Sequence, residues 1–229
     1  MKKYFLYIAA AAFLMAACTQ NPPEALEEPE EMAGVIITMT TLASEVSFDV
    51  LAGSGNIIFN WGDGETSNMD DASYDASSGL LRFSHSYART AEHQITVIDL
   101  NAESSTKGST PKNSDADSDD GIYVDFAQNQ LTTIDLSGCS DWWVLNCAHN
   151  QLTSLDLTNL TKLGYVFCQD NQLTASALND LFRTLHSNAF PLIKYDDNPG
   201  EFDCDFSIAE EKGWHHFRES GKPPPTNWD

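Results

Sequence analysis

The chain has 229 residues, with 34 acidic against 12 basic side chains and a formal net charge of −22 at pH 7. That balance excludes nucleic-acid binding, which depends on Lys and Arg neutralising phosphates, and excludes electrostatic docking to anionic lipid. With 41% hydrophobic residues the chain can still bury a sizeable core.

The N-terminus begins with Lys2 and Lys3 and continues as an apolar run from Tyr4 to Ala17, ending at Cys18. The run is too short to span a bilayer as a helix and has the make-up of a secretory signal, expected over residues 1–17. Leu14-Met15-Ala16-Ala17-Cys18 resembles a lipobox, although Met15 stands where Leu is usual. The resemblance implies cleavage before Cys18, acylation of that cysteine, and membrane attachment through the lipid anchor alone. Losing the two lysines would make the mature chain more acidic still. Residues 18–33, with Pro22, Pro23, Pro29 and a run of Glu, are expected to form a disordered acidic tether. An acidic stretch behind a lipidated Cys loosely resembles the export tag of Bacteroidetes surface lipoproteins, which implies a surface-exposed position on a bacterial outer membrane.

Residues 34–100 read as a β unit. Val35–Thr40, Val46–Val50, Ile57–Trp61, Leu80–Tyr87 and Gln94–Ile98 are β-rich runs, and Gly62-Asp63-Gly64 signals a tight turn. Trp61-Gly62-Asp63-Gly64, His85-Ser86-Tyr87 and Ile95-Thr96-Val97 together resemble a PKD-type β-sandwich. The unit is short for that fold, so one strand is expected to be missing or supplied by the segment that follows. Asp63 and His85 are expected to hold turns and strand ends rather than to catalyse.

Residues 101–120 have no apolar period and read as a flexible acidic, Ser-rich loop. Asp115, Asp117 and Asp119 make a weak calcium candidate. A helix-loop-helix calcium site wants Gly at the sixth position and Glu at the twelfth, where this chain has Asp120 and Phe126. A solvated acidic loop is the expectation, with no dedicated metal site and no cofactor.

From residue 121 to 173 the chain repeats itself. Asn-Gln-Leu begins at Asn129, Asn150 and Asn171, at intervals of 21 residues. Around it run Val124-x-Phe126, Leu145-x-Cys147 and Val166-x-Cys168, then Leu131, Leu152 and Leu173, then Ile134/Leu136 and Leu155/Leu157. Such a period predicts stacked parallel strands whose alternate residues face inward, with each Asn satisfying backbone groups at a bend. These units resemble the short leucine-rich repeats of Bacteroidetes surface proteins, and Asn198-Pro199-Gly200, Asp203-Cys204-Asp205 and Lys212-Gly213-Trp214 resemble their closing segment. The resemblance covers roughly residues 121 to 217 and implies a short solenoid of three rungs on a non-catalytic, cell-surface interaction protein.

Residues 174–217 are expected to cap that solenoid. Leu178, Leu181, Phe182 and Leu185 form a helical stripe over residues 175–187. Leu192–Tyr195 reads as a last strand, Ser207 and Glu210 have capping-box spacing, and Gly213 ends a short helix. The neighbours His215 and His216 would point to opposite sides, so packing is expected rather than metal binding. Residues 218–229 form a tail. Cys139, Cys147, Cys168 and Cys204 are expected to be free thiols.

The fold class predicted is thus β-rich with few helices: a small PKD-like β-sandwich unit, then a short leucine-rich-repeat solenoid with a helical C-terminal cap. No nucleophile elbow, metal motif or phosphate loop is present in the sequence, and no enzyme is expected. The expected role is monomeric, non-catalytic binding of a protein or glycan ligand. A spacer in an outer-membrane assembly is the alternative, and a glycan or peptide hydrolase a remote one. The ligand-binding candidates are Tyr123, Asp125, Asn146, Tyr165 and Phe167, on strand positions expected to face solvent together with Ala127, Val144, Ala148 and Gln169.

Overall fold

Strict alternation decides which side chains share a core. Along β2 (Glu45–Val50), Val46, Phe48 and Val50 are buried while Glu45 and Ser47 are exposed. The computed structural model describes residues 35–50, 57–76, 79–99, 122–140, 142–188 and 191–217. Cys18, the acidic tether, the loop with Asp115, Asp117 and Asp119, and the C-terminal tail lie outside the described residues. What is described is β-rich with two α-helices.

The first runs fold as β1 (Val35–Thr41), β2, β3 (Ile57–Asn60), β6 (Leu80–Ser86) and β7 (His93–Asp99), with two short strands the sequence did not announce, β4 (Thr66–Ser67) and β5 (Ser73–Asp75). They are joined by strands from the repeat segment: β8 (Ile122–Asp125) and β9 (Leu131–Asp135). One sheet runs β4-β3-β7-β1-β9, with β9 antiparallel to β1 through Thr38↔Asp135 and Met39↔Ile134. In the other sheet β8 pairs antiparallel with β2, Asp49 opposite Asp125 and Val50 opposite Val124. Both junctions give partners to backbone groups that a five-strand unit would leave open. Across the interior, Phe48 stacks on Phe59 at 5.7 Å between ring centroids and meets Phe126 edge-on at 5.3 Å. Phe126 comes from the repeats, so one hydrophobic core runs through both segments.

Beyond β8 the second sheet continues as β10 (Trp142–Asn146), β11 (Tyr165–Phe167), β12 (Leu192–Lys194) and β13 (His215–His216), all parallel. Five strands therefore stack where three rungs and one last strand were expected. The added length comes from the closing segment, because Ile193-x-Tyr195-x-x-Asn198 repeats the pattern of Val166-x-Cys168-x-x-Asn171. Its Asn198 does the same work as the earlier asparagines.

That work is specific. Asn150 Oδ1 accepts from the backbone N–H of Asn129 and Leu131, both at 3.0 Å, while its Nδ2 donates to the carbonyls of Phe126 and Cys147. Asn171 accepts from Leu152 N and Asn198 from Leu173 N, each donating back to two carbonyls or more. Asn129 instead binds Ser47 N and Ser47 O of β2, which ties the parallel array to the antiparallel part. The residue before each Asn takes a positive φ: Gln128 62°, His149 55°, Asp170 52° and Asp197 59°. A left-handed residue at each bend is what returns the chain for the next strand.

The cap departs from expectation in three places. Helix α1 (Ala175–Thr184) stops before residue 187 because Leu185 is extended, and Lys212 Nζ donates to the carbonyls of Phe182, Arg183 and Leu185. Thr174 Oγ1 accepts from Ala177 N at its start. Helix α2 (Ser207–Glu210) has no capping box: Phe206 is its N-cap, and the carboxylate of Asp205 accepts from both the amide and the hydroxyl of Ser207. The strand expected at Leu192–Tyr195 is β12, which ends one residue earlier at Lys194 and is not the last, since β13 lies beyond it.

Cys147, Cys168 and Cys204 are free thiols, and Cys139 is buried in the core. Burial pushes the Cys147 thiol up to about 12 and raises the Cys168 thiol as well. His216 stacks on Tyr195 at 4.1 Å and sits 3.2 Å from the Asp196 carboxylate, a packing position, while His215 is exposed. Asp63 Oδ1 accepts from Glu65 N in the turn and Oδ2 lies 2.8 Å from His85 Nε2.

Candidate functional site

Pairing registers place side chains of successive strands in ranks across the sheet face opposite the core. One rank runs Arg82, Asp49, Asp125, Asn146, Phe167, Lys194, each opposite the next on β6, β2, β8, β10, β11 and β12. The neighbouring rank runs Tyr123, Val144, Tyr165, Leu192. On the other side lie Ser84, Ser47, Ala127 and Ala148. Small side chains there, between larger ones, leave a groove of about 630 Å³ spanning β6, β2, β8 and β10 and reaching Gln169 past β11.

The groove's polar groups are held in place. Arg82 grips Asp49 with two bonds, Nε to Oδ1 at 2.7 Å and Nη2 to Oδ2 at 2.6 Å, and this contact raises the guanidinium's pKa. Asp125 Oδ2 accepts from Asn146 Nδ2 at 2.9 Å and from the Tyr123 hydroxyl at 3.2 Å, while Oδ1 accepts from Ala127 N. Burial, with the Asp125 carboxylate beside it, pushes the Tyr123 phenol up to about 12. Asn146 Oδ1 accepts from Ala148 N. At the rim His149 Nδ1 lies 2.8 Å from Asp170 Oδ2. Gln169 Oε1 is buried with no hydrogen-bond partner among the described residues.

Of the residues singled out from the sequence, Asp125 and Asn146 touch each other and line the groove; Tyr123 binds Asp125 from behind without lining it. Tyr165 and Phe167 do not line it either. All three aromatics are half-buried rather than open to water, and Ala148, expected to face solvent, is 1% exposed. Part of the cover comes from Trp143, which meets Tyr165 edge-on at 5.9 Å and lies over Gly164, where a Cβ would come within 2.6 Å of the indole. Asp49, Arg82 and His149 were not foreseen, whereas Gln169 was among the positions expected to face solvent. The placement of Asp49 and Arg82 follows from the antiparallel β6-β2-β8 register, which no repeat announces, while His149 directly precedes the repeat's Asn150; only the alternation of β2 could have pointed Asp49 outward.

Among the described residues no three His, Cys, Asp or Glu side chains are grouped to hold a metal ion, and no helix is long and apolar enough to cross a membrane. Compared with protein-family models, curated proteins and solved structures, the chain matches none.

Proposed function

We propose that this chain is a non-catalytic, lipid-anchored bacterial surface protein that binds a protein or glycan ligand through the outer face of its long sheet. In this reading residues 34–100 are a PKD-like β-sandwich unit, 121–173 a short leucine-rich-repeat solenoid and 174–217 its cap. The 21-residue equivalence of stacked parallel strands and the shared hydrogen bonding of Asn150, Asn171 and Asn198 support the repeat assignment. The lipobox-like segment ending at Cys18 supports the anchoring. The observation that carries the binding role is the 630 Å³ groove lined by fixed polar side chains, a volume within the roughly 300–1,000 Å³ of small-ligand sites.

Two experiments test it. Changing Cys18 to Ser is expected to move the protein from the membrane fraction to the soluble fraction, since it removes the proposed acylation site; retention at high salt would refute the anchor. The released chain, screened on a glycan array and against host surface proteins, is expected to find a ligand whose affinity falls on Asp125→Ala. A ligand that binds Asp125→Ala and the unchanged chain alike would place binding elsewhere. The spacer reading is favoured by the two sheets and the one core that both segments share, and predicts that no groove substitution alters any association.

A further inference from the structure

The groove's floor and walls differ in chemistry, and the difference selects a class of ligand. Ser84, Ser47, Ala127 and Ala148 make a floor with little reach, crossing the strands rather than following one. Beside it the Arg82–Asp49–Asp125–Asn146 rank presents planar groups whose orientation is already set by hydrogen bonds. Holding them beforehand lowers the entropy lost on binding. Asp125 Oδ1 has acceptor capacity left beyond the Ala127 amide, whereas Oδ2 is filled by Asn146 and Tyr123; Asn146 has a second amide hydrogen.

Charge narrows the choice. Glu45, Asp49 and Asp125 face the groove against one guanidinium, and Asp49 already holds that one. An anionic ligand would meet a net negative surface. Nor does the groove offer a deep apolar pocket for the aromatic anchors that dominate protein interfaces. What fits is a narrow chain rich in hydroxyls, running across strands β6 to β11, a span of four inter-strand gaps or roughly 19 Å.

We infer that the groove binds a linear oligosaccharide that is uncharged or bears amino groups, laid across the strands; this rests on the binding function proposed above. Asp125 and Asn146 receive and donate to its hydroxyls, and Asp49 and Asp125 favour any amino group.

Calorimetry on the Cys18→Ser chain, with cellohexaose, mannohexaose, chitosan hexamer, oligogalacturonate and decalysine as probes, tests this. At least one of the first three is expected to bind saturably, with oligogalacturonate silent. Asp125→Asn is expected to weaken that binding by about tenfold or more. Ser84→Trp, at an exposed position that fills the groove without touching Asp125, is expected to abolish it, both variants keeping the parent's unfolding transition. Equal binding of oligogalacturonate, indifference to both substitutions, or silence of all three neutral and amino-bearing probes would overturn the inference. Decalysine binding that alone is lost with Ser84→Trp would overturn the sugar assignment and leave the binding function standing. No ligand of any class sensitive to Ser84→Trp would overturn both.

Discussion

Asn150 makes five hydrogen bonds from one buried amide, to two N–H groups and three carbonyls. Leucine there would strand those groups away from water, and each stranded group costs roughly 1–3 kcal/mol. Asn150→Leu is therefore expected to lower stability by about 3 kcal/mol or more, read as a drop in the urea midpoint; a change under about 1 kcal/mol would refute the role given to the side chain. Asp63 carries a smaller, pH-dependent share. Burial works to raise its pKa, but the bond from His85 and the Glu65 N–H outweigh it, so its folded value is lowered. The stabilisation is thus present above the ordinary carboxylate value of about 3.9 and lost as pH falls through the lower folded value. Asp63→Asn is expected to flatten that acid limb of stability, measured by thermal unfolding between about pH 5 and pH 2. The sequence made Asn129, Asn150 and Asn171 legible because spacing alone reveals them. Asn198 was hidden because α1 lengthens the last interval, although its Ile193-x-Tyr195-x-x-Asn198 context was there to be matched.

Helix α1 shows what a periodic stripe can and cannot announce. Leu178, Leu181 and Phe182 are buried as the 3.6-residue spacing implies, yet the end of the helix is set by Lys212, some thirty residues away in sequence. Lys212→Met keeps the aliphatic stem and removes the donor to three carbonyls. It is expected to cost about 1–2 kcal/mol and to speed hydrogen exchange in the last turn of α1; unchanged exchange there would refute the capping role. The groove was half legible for a related reason. Asp125 and Asn146 lie on repeat strands whose facing could be counted off, whereas Asp49 and Arg82 reach them through a strand pairing between distant segments. Ser207 misled because capping-box spacing is local, while Asp205, two residues earlier, offers the nearer acceptor.

At the scale of the whole chain, the pairings β1–β9 and β2–β8 and the shared core make separate unfolding of the two segments costly. A single urea transition is expected, with far-UV circular dichroism and tryptophan fluorescence coinciding. A fragment of residues 121–217 alone, with Phe126 uncovered and β8 unpaired on one side, is expected not to unfold cooperatively. Two resolved transitions, or a stable fragment, would refute this coupling. Charge and composition argued against nucleic acid from the outset. They could say nothing of the junction, which depends on strand register.

The reversal of direction at β2 also governs how such a molecule can change in length. On that side the parallel array ends against an antiparallel neighbour, with Asn129 bound to Ser47, so a rung added there would have no matching bend to receive it. Between β10 and β11, by contrast, each rung presents the same Asn contacts above and below, and a duplicated 21-residue unit would find its hydrogen-bonding partners ready-made. Growth by tandem duplication would then lengthen the far part of the sheet while the Arg82–Asp49–Asp125 corner stayed as it is. One end of the groove is fixed by geometry, and the other can lengthen.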